Sequence, residues 1–415
     1  MKTDFDIVIV GGGMVGAALA LSLKYSRYKI AIVEAFEVSD KQQPSFDDRC
    51  IAISWGSSQI LKALGLWESL KTHSTFIDKI LVCDKGHFGF HRISAEERGV
   101  DFLGQVITSR DCGQFFWDQL RHQKNVNIFC PAKITQQSIQ ENNTVDVVIE
   151  QQNKTQTLNA KIVIAADGAN SITRELAGIK HQLSDYGQAA IIANIETQLP
   201  HNGLAIERFT ENGPLALLPL EDRLSLVWTV PTAEMDHYLA LDNVDFIKQL
   251  QQQMGQRLGR VTRLGKRIGY PLQLLKVEKL YAERTLLVGN AAHGIHPIAG
   301  QGFNLGLRDV AWLAEKLIAA EALQQDIGGE EFLKQYAAVR KQDIRRIVAL
   351  TDSLARLFAN QSRLLTLTRN VALAAMPFLP VASQWLGETA MGLQGPLPRL
   401  ACGETLEEIT DEAVY

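Results

Sequence analysis

A glycine triad set between two strand signals constrains this chain more than any other feature. Residues 5–10 (FDIVIV) form a short apolar run rich in β-branched side chains, the pattern of a parallel strand buried on both faces. Gly11-x-Gly13-x-x-Gly16 follows, residues 14–25 read as a helix, and residues 29–34 (KIAIVE) read as a second strand, which together make one βαβ unit. Glycine spacing alone is a weak signal. Placed between a strand and a helix, with Glu34 closing the next strand, it is the dinucleotide fingerprint. Gly11 permits a tight turn, Gly13 lets backbone approach a pyrophosphate, and Gly16 lets the helix pack closely on the sheet. The helix N-terminus favours the phosphate charge. Glu34 can accept hydrogen bonds from both ribose hydroxyls of an adenosine and would repel a 2′-phosphate, so the implied ligand is NAD or FAD and not NADP.

Signals of the same kind recur far along the chain. VDVVIE and AKIVIAA, within residues 145–166, read as strands, and TLLVG (285–289) precedes a glycine-rich turn and a helix near 303–320. One sheet assembled from distant segments is expected. Between these segments, residues 186–275 alternate polar and apolar more often, and GPLALLPL and RLSLVWTV read as antiparallel strands. Residues 330–390 read as helices until Pro377 and Pro380. The expected fold class is α/β, with a Rossmann-like dinucleotide domain built from the discontinuous segments 1–75, 97–185 and 276–330. An antiparallel-sheet substrate domain (76–96 and 186–275) is inserted, and residues 331–415 form a C-terminal helical region with an acidic tail.

Composition narrows the function classes. With 415 residues, 46% of them hydrophobic, the chain can bury a large core and a sizeable cofactor. A formal net charge of −4 argues against nucleic-acid binding, which needs a basic face. Glu404, Glu407, Glu408, Asp411 and Glu412 fall in residues 404–415 without a Lys or Arg, so that terminus is expected to be solvated and mobile. Five cysteines without a C-x-x-C pair predict a reduced cytosolic protein with no disulfide framework or zinc site, and argue against a flavin-linked disulfide reductase. The His87/His91 and His293/His296 pairs lack a Cys or carboxylate at ligand spacing, so no metal is expected. There is no signal-peptide pattern and no apolar run of about 18 residues.

Two further motifs separate FAD from NAD. Residues 165–174 read AADGANSITR, with Asp167-Gly168 after a strand, and residues 289–309 read GNAAHGIHPIAGQGFNLGLRD. With the glycine triad, in this order and spacing, the chain resembles the FAD-dependent aromatic hydroxylases, the group containing para-hydroxybenzoate hydroxylase, over nearly its whole length. PSFDDRCIAIS (44–54), ERFTENGPLALLPL (207–220) and the GNAAH form (289–293) are similar to the ubiquinone-biosynthetic branch of that family. The resemblance implies FAD as bound cofactor, NADPH or NADH as transient electron donor, and dioxygen as co-substrate. Oxygen would reach the ring from a flavin hydroperoxide kept away from water. The implied substrate is a polyprenylated phenol with the ring pattern of 2-polyprenyl-6-methoxyphenol. A sister hydroxylase acting at another ring position, a flavin-dependent prenyl-chain reductase or halogenase, and a non-catalytic flavoprotein subunit of a biosynthetic assembly stay open. The branch also implies companion proteins in a ubiquinone-biosynthetic complex, with residues 330–390 and the tail as docking surfaces. The expected location is cytoplasmic, soluble or peripheral at the inner face of the membrane.

Carried over residue by residue, the family implies that Arg49 reaches the FAD pyrophosphate or flavin, its fork-shaped donor suiting phosphate oxygens. Gln105 would bond the ribityl chain with Arg110 in support, and Asp167 and Gly168 would lie near the cofactor and the nicotinamide approach. After Gly289, Asn290 stands where the wider family has Asp; it keeps an acceptor for the ribityl hydroxyls and adds a donor. Gly300, Gln301 and Gly302 would turn backbone N–H groups to the flavin pyrimidine edge, stabilising reduced flavin. His293 suits a structural or flavin-side role better than general-base catalysis. It and Pro297 are the candidates for a catalytic position, and nothing in the sequence fixes the group that deprotonates the phenol. Leu215, Leu217, Leu218, Val227 and Trp228 are candidates for the wall of an apolar pocket, or for ordinary β-core.

Overall fold

The computed structural model describes residues 3–37, 49–359 and 370–407. The strand of the glycine triad, Phe5–Val10, lies inside the first sheet, parallel to Lys154–Ala165 on one side and to Ile30–Val33 on the other. Thr285–Leu287 adds in parallel beyond Lys154–Ala165, and Val126–Phe129 beyond Ile30–Val33. Distant segments thus share one sheet, as the strand signals predict. From Ile7 to Val10 both parities are apolar because both faces are covered, while Asp6 near the strand's start is half-buried and pairs with Lys161 at 2.8 Å. Ile7 and Ile9 enter a core with the helices Met14–Ser22, Ser109–Leu120 and Gln301–Ala322, while Val8 and Val10 pack with the antiparallel strands Lys133–Ile139 and Val145–Gln151. In Met14–Ser22 every residue from Gly16 on is buried, which fits its all-round apolar sequence.

The second sheet has nine strands drawn from residues 79–94, 181–277 and 293–294. It is mixed rather than wholly antiparallel, since Leu204–Thr210 runs parallel to Lys79–Asp84. Its two faces have different fates. Leu215, Leu217, Leu226 and Trp228 pack under the helices Met235–Ala240 and Asn243–Met254, where Trp228 meets Tyr238 and Phe246 edge-on. The opposite parity carries Ile192, Ala216, Leu218, Val227 and Tyr270, all half-buried. Phe209, on that same side by register with Pro214, packs on Ile298 of the third motif. This face therefore looks toward the glycine turns. A small sheet of Cys50–Ser54, Gly104–Thr108 and Thr75–Ile77 closes the space between.

Two expectations for the C-terminal region change. Pro380 does not end a helix; it opens Pro380–Met391 from the first helical position, where its missing N–H costs nothing. The terminus is not free from residue 404 onward, because Leu400, Ala401 and Leu406 belong to the first core and Arg399 Nε donates to Glu404 at 3.1 Å. Glu408, Asp411 and Glu412 lie outside the described residues, as does the 44–48 part of the PSFDDRCIAIS segment. Among the described residues no helix is long and apolar enough to cross a membrane.

Candidate functional site

The first motif is built by steric exclusion. Gly11 has φ +102°, and a Cβ there would lie 2.5 Å from the Ala166 carbonyl oxygen, so the backbone of the second motif presses directly on the glycine turn. A Cβ on Gly16 would lie 2.0 Å from the Gly11 carbonyl oxygen. Gly12, which the motif leaves unspecified, is held at both ends. Its N–H donates to Glu34 Oε2 at 2.6 Å, and its carbonyl accepts from Trp117 Nε1 at 2.8 Å. Glu34 is buried and its other oxygen accepts from the Phe36 N–H at 2.9 Å, so each carboxylate oxygen keeps one lone pair for a ligand. The helix Met14–Ser22 then starts at Gly13 with no side-chain cap and no acidic residue in its first turn. Its free N–H groups and positive end face outward, which suits an anion.

The second motif braces the third. Asp167 turns its carboxylate onto its own turn, accepting from Ser171 Oγ and from the N–H and hydroxyl of Thr173. Only its backbone lies against Gly11. Gly168 has φ +86° with open space beside its Cα. Arg174, almost fully buried, donates to the carbonyls of Ala169 and Ala291 and so ties this turn to the 289–293 turn.

Behind the third motif sits a buried charged cluster. Asp309 accepts three hydrogen bonds: from the Gly289 N–H at 2.9 Å, from His293 Nε2 at 2.7 Å, and from Arg340 Nε at 2.8 Å. Burial alone would raise its pKa, but His293, Arg340 and the Gly289 N–H outweigh burial and hold it at about 2. Arg340 also donates to Asp343 at 2.7 Å, and Arg308 pairs with the same carboxylate at 3.3 Å. His293 is thus an anchoring residue, with its ring turned into the protein. His296 is buried with its Nε2 3.3 Å from Gln188 Oε1; burial, against the opposing pull of Asp352, pushes its pKa down to about 4, so it is neutral at pH 7. Asn290, by contrast, is exposed and its side chain makes no hydrogen bond among the described residues.

Gly300 has φ +60°, and a Cβ there would lie 2.9 Å from Ala52 Cβ. It caps the helix Gln301–Ala322 without a side chain, and again no acid occupies the first turn. Gln301 is buried, and Gly302 has open space where a Cβ would stand. Pro297 lies just before this turn, half-buried. Asn304 clamps the helix to the strand Cys50–Ser54 through the Ala52 carbonyl and the Ser54 N–H, both at 2.9 Å. Arg49, at the start of that strand, places its guanidinium over the Tyr270 ring at 4.8 Å, at the seam between the small and second sheets. Arg110 is half-buried in the first turn of Ser109–Leu120. Gln105 is fully buried, its amide shared between Ser58 and Ser74, facing the core rather than a glycine turn. Of the proposed wall residues, Leu215, Leu217 and Trp228 face the helices, while Leu218 and Val227 lie on the opposite parity, where Leu218 packs against the cluster that holds Ile77 and Val106 of the small sheet.

Trp117, Arg174, Asn304, Asp309 and Arg340 were not singled out by sequence. Asp309 and Asn304 lie within the third motif and Arg174 closes the second, so these three were accessible from the motifs, whereas Trp117 and Arg340 act across large sequence separations and carry no local signature.

Two uncapped helix N-termini, a buried acidic acceptor after the second strand and an exposed amide at residue 290 are the arrangement of a dinucleotide-binding flavoprotein fold. Residues 4–351 match the family described as FAD binding domain, and the chain belongs to that family. It is 36% identical to the ubiquinone hydroxylase UbiL of Rhodospirillum rubrum over 95% of this chain and 91% of that one. It is 30% identical to the 3-demethoxyubiquinol 3-hydroxylase of Escherichia coli K12, over 94% and 98%. The fold matches p-nitrophenol 4-monooxygenase PnpA of Pseudomonas putida DLL-E4 with a TM-score of 0.77 at 18% identity, covering 95% of this chain and 99% of that one. This protein is an FAD-dependent hydroxylase.

Proposed function

We propose that the chain hydroxylates the ring of a polyprenylated phenol in ubiquinone biosynthesis, with 2-polyprenyl-6-methoxyphenol as substrate, NAD(P)H as electron donor and dioxygen as co-substrate. The observation that carries the reading is the half-buried apolar face of the second sheet, Ile192, Ala216, Leu218, Val227 and Tyr270, set opposite the Gly300–Gly302 turn. A face of this kind offers dispersion contact to a ring and an isoprenoid chain without hydrating them. Relatives named as ubiquinone hydroxylases support the substrate class.

The residues fit FAD. The Gly13 end of Met14–Ser22 would hold the pyrophosphate, Glu34 the adenosine ribose, Asn290 the ribityl chain, and the Gly300–Gly302 backbone the flavin pyrimidine edge. When bound, FAD accepts hydride from NAD(P)H and activates dioxygen for transfer to the ring. The protein orients both partners, and the apolar sheet excludes water from between them. His296 is neutral and can take no part as a cation at pH 7. Companion proteins and a peripheral position on the membrane are part of the same reading.

The test is turnover of demethoxy and methoxy polyprenylphenols with ring-position analysis of the product. Incorporation of one oxygen from dioxygen at the ring carbon of 2-polyprenyl-6-methoxyphenol supports it. Hydroxylation at another position moves the protein to the sister activity of the Escherichia coli relative. NAD(P)H oxidation that no phenol accelerates refutes the substrate class.

A further inference from the structure

On the face of the second sheet opposite the helices Met235–Ala240 and Asn243–Met254, one row of side chains stays open. Register carries it straight across six strands, where Val82, Glu207, Ala216, Val227, Ile192 and Ile268 stand side by side. All six are half-buried. The rows that flank it are mostly closed: Phe209, Pro214, Thr229 and Ala190 are buried on one side, and Ala205 and Ser225 on the other. Five members of the open row are apolar and the sixth is a carboxylic acid. Setting a carboxylate among apolar neighbours costs desolvation, so its presence there calls for a polar partner.

Glu207 lies one strand step from the third motif. Phe209, the next residue on its face and about 7 Å along the strand, packs on Ile298, which precedes the Gly300 turn. Ala216, the smallest side chain of the row, stands directly opposite Glu207, about 5 Å away across the strand pair. Arg208 is adjacent in sequence but belongs to the other face, where it meets Cys83 and the Gly255 turn. Among the described residues the other carboxylates of this face lie at its margins. Asp84 accepts from Asn370 at 2.8 Å, and Glu196 pairs with Arg263 at 3.0 Å. The elements packed on the face bring Arg49 from the small sheet, His296 from the third motif and Asp352 from the helix Glu330–Ala359.

We infer that Glu207 is the acceptor for the phenol hydroxyl: with the ring over Ala216 and Val227, the substrate O–H donates to the Glu207 carboxylate, which takes the proton as the ring is oxygenated. The inference deepens the proposed function and rests on it, because it needs a phenolic substrate. A charge-assisted O–H···O⁻ bond is roughly twice as strong as a neutral one, so one contact both orients the ring and raises its electron density. The overall reaction turns a ring C–H, dioxygen, NAD(P)H and a proton into a ring C–OH, NAD(P)⁺ and water. As the new carbon–oxygen bond forms, the substrate O–H bond breaks and its proton passes to Glu207, leaving a ring carbonyl. The hydrogen on the attacked carbon then leaves to water as a proton. Return of the Glu207 proton to the carbonyl oxygen restores the aromatic ring with two hydroxyls and the carboxylate with its charge.

The test uses the full-length, flavin-loaded protein without NAD(P)H and a prenylated nitrophenol, whose neutral and ionised forms absorb at different wavelengths. A carboxylate at the hydroxyl favours the neutral form, so the wild-type complex should ionise about one pH unit or more above the free probe. Glu207→Gln replaces the anion with an amide. It should bring the ionisation back toward the solution value and weaken binding of the neutral probe by about tenfold or more. In turnover of a polyprenylphenol it should lower kcat by about a hundredfold or more, with flavin content as in the wild type. Glu207→Asp keeps the charge on a shorter stem and should retain the raised ionisation. A probe that ionises on the wild type as it does in solution overturns the inference, whether or not the glutamine variant folds. So does a glutamine variant that matches the wild type in probe ionisation, affinity and kcat while polyprenylphenols are hydroxylated; the proposed function then stands without this residue. A wild type that binds no phenol and hydroxylates none removes the proposed function and the inference with it.

Discussion

Asp309→Asn is the substitution whose consequence the structure defines most closely. The asparagine carbonyl can still accept from the Gly289 N–H and from His293 Nε2, which share one carboxylate oxygen. Its amide then points a donor at Arg340 Nε, where the second carboxylate oxygen now accepts at 2.8 Å. Arg308 and Arg340 are left with Asp343 as their shared counter-charge in a site with almost no solvent. Removing one partner from a buried ionic cluster costs about 3–5 kcal/mol. Arg340 keeps its 2.7 Å bond to Asp343, so about 3 kcal/mol is expected. Denaturant unfolding of flavin-free protein measures it, and flavin titration should show weaker binding because the Gly289 turn has lost its anionic anchor. A double-mutant cycle with Arg340→Gln should return a coupling of about 2 kcal/mol. The pH arm has a definite sign. Folding lowers the Asp309 pKa from 3.8 to about 2. The ionised form therefore stabilises the fold fully above about pH 4, and that contribution, about 2 kcal/mol, is lost as pH falls from about 4 toward 2. Asp309→Asn should flatten this limb. Stability within about 1 kcal/mol of wild type, together with an unchanged acid limb, would refute the account of the cluster.

Gly16→Ala places a methyl 2.0 Å from the Gly11 carbonyl, so the turn must open; purified protein should lose its flavin, and an equally yellow preparation would show that the turn is not the cofactor seat. Trp117→Phe removes the donor to the Gly12 carbonyl and should cost about 1 kcal/mol in unfolding experiments, with a matching fall in FAD affinity. Asn290→Asp should retain FAD, whereas Asn290→Leu should weaken it by about 1–3 kcal/mol in titration; unchanged affinity in the leucine variant would show that residue 290 does not face the cofactor. Truncation after Glu407 spares Leu400 and Leu406 and should leave stability unchanged, whereas truncation after Arg399 should destabilise; loss of co-purifying partners in the shorter cut alone would then report misfolding rather than docking.

How much of this was legible in sequence depends on how local the physics is. Gly16 was readable because its role is a clash within a few residues, with the Gly11 carbonyl, whereas the pressure on Gly11 comes from distant Ala166; the strand was readable because Ile7 to Val10 are apolar at both parities. Glu34 was placed correctly at the end of the second strand, but its bond to the Gly12 N–H was not visible, since it spans the turn. Leu215, Leu217 and Trp228 could not be assigned to a face from sequence. GPLALLPL is apolar at both parities, so the choice between the helix-covered face and the turn-facing one belongs to the whole sheet. Glu404 and Glu407 are exposed, in keeping with their charge, while Leu406 between them is buried in the first core, a contact that composition does not record. Trp117, Arg174 and Arg340 reach their partners from other segments of the chain, and no periodicity records that.

The bond from Arg340 to Asp309 also sets a timetable. The strand carrying the glycine triad leaves the ribosome first, but its neighbour Lys154–Ala165 comes much later, and Thr285–Leu287 later still. The Gly289 turn is secured only once Asp309 is paired, and its partner Arg340 lies in the helix Glu330–Ala359. The Gly289 turn therefore has its full set of anchors only once Arg340 is present, so a chain truncated before that residue is expected to leave the turn unsecured and to bind flavin less tightly than the whole chain.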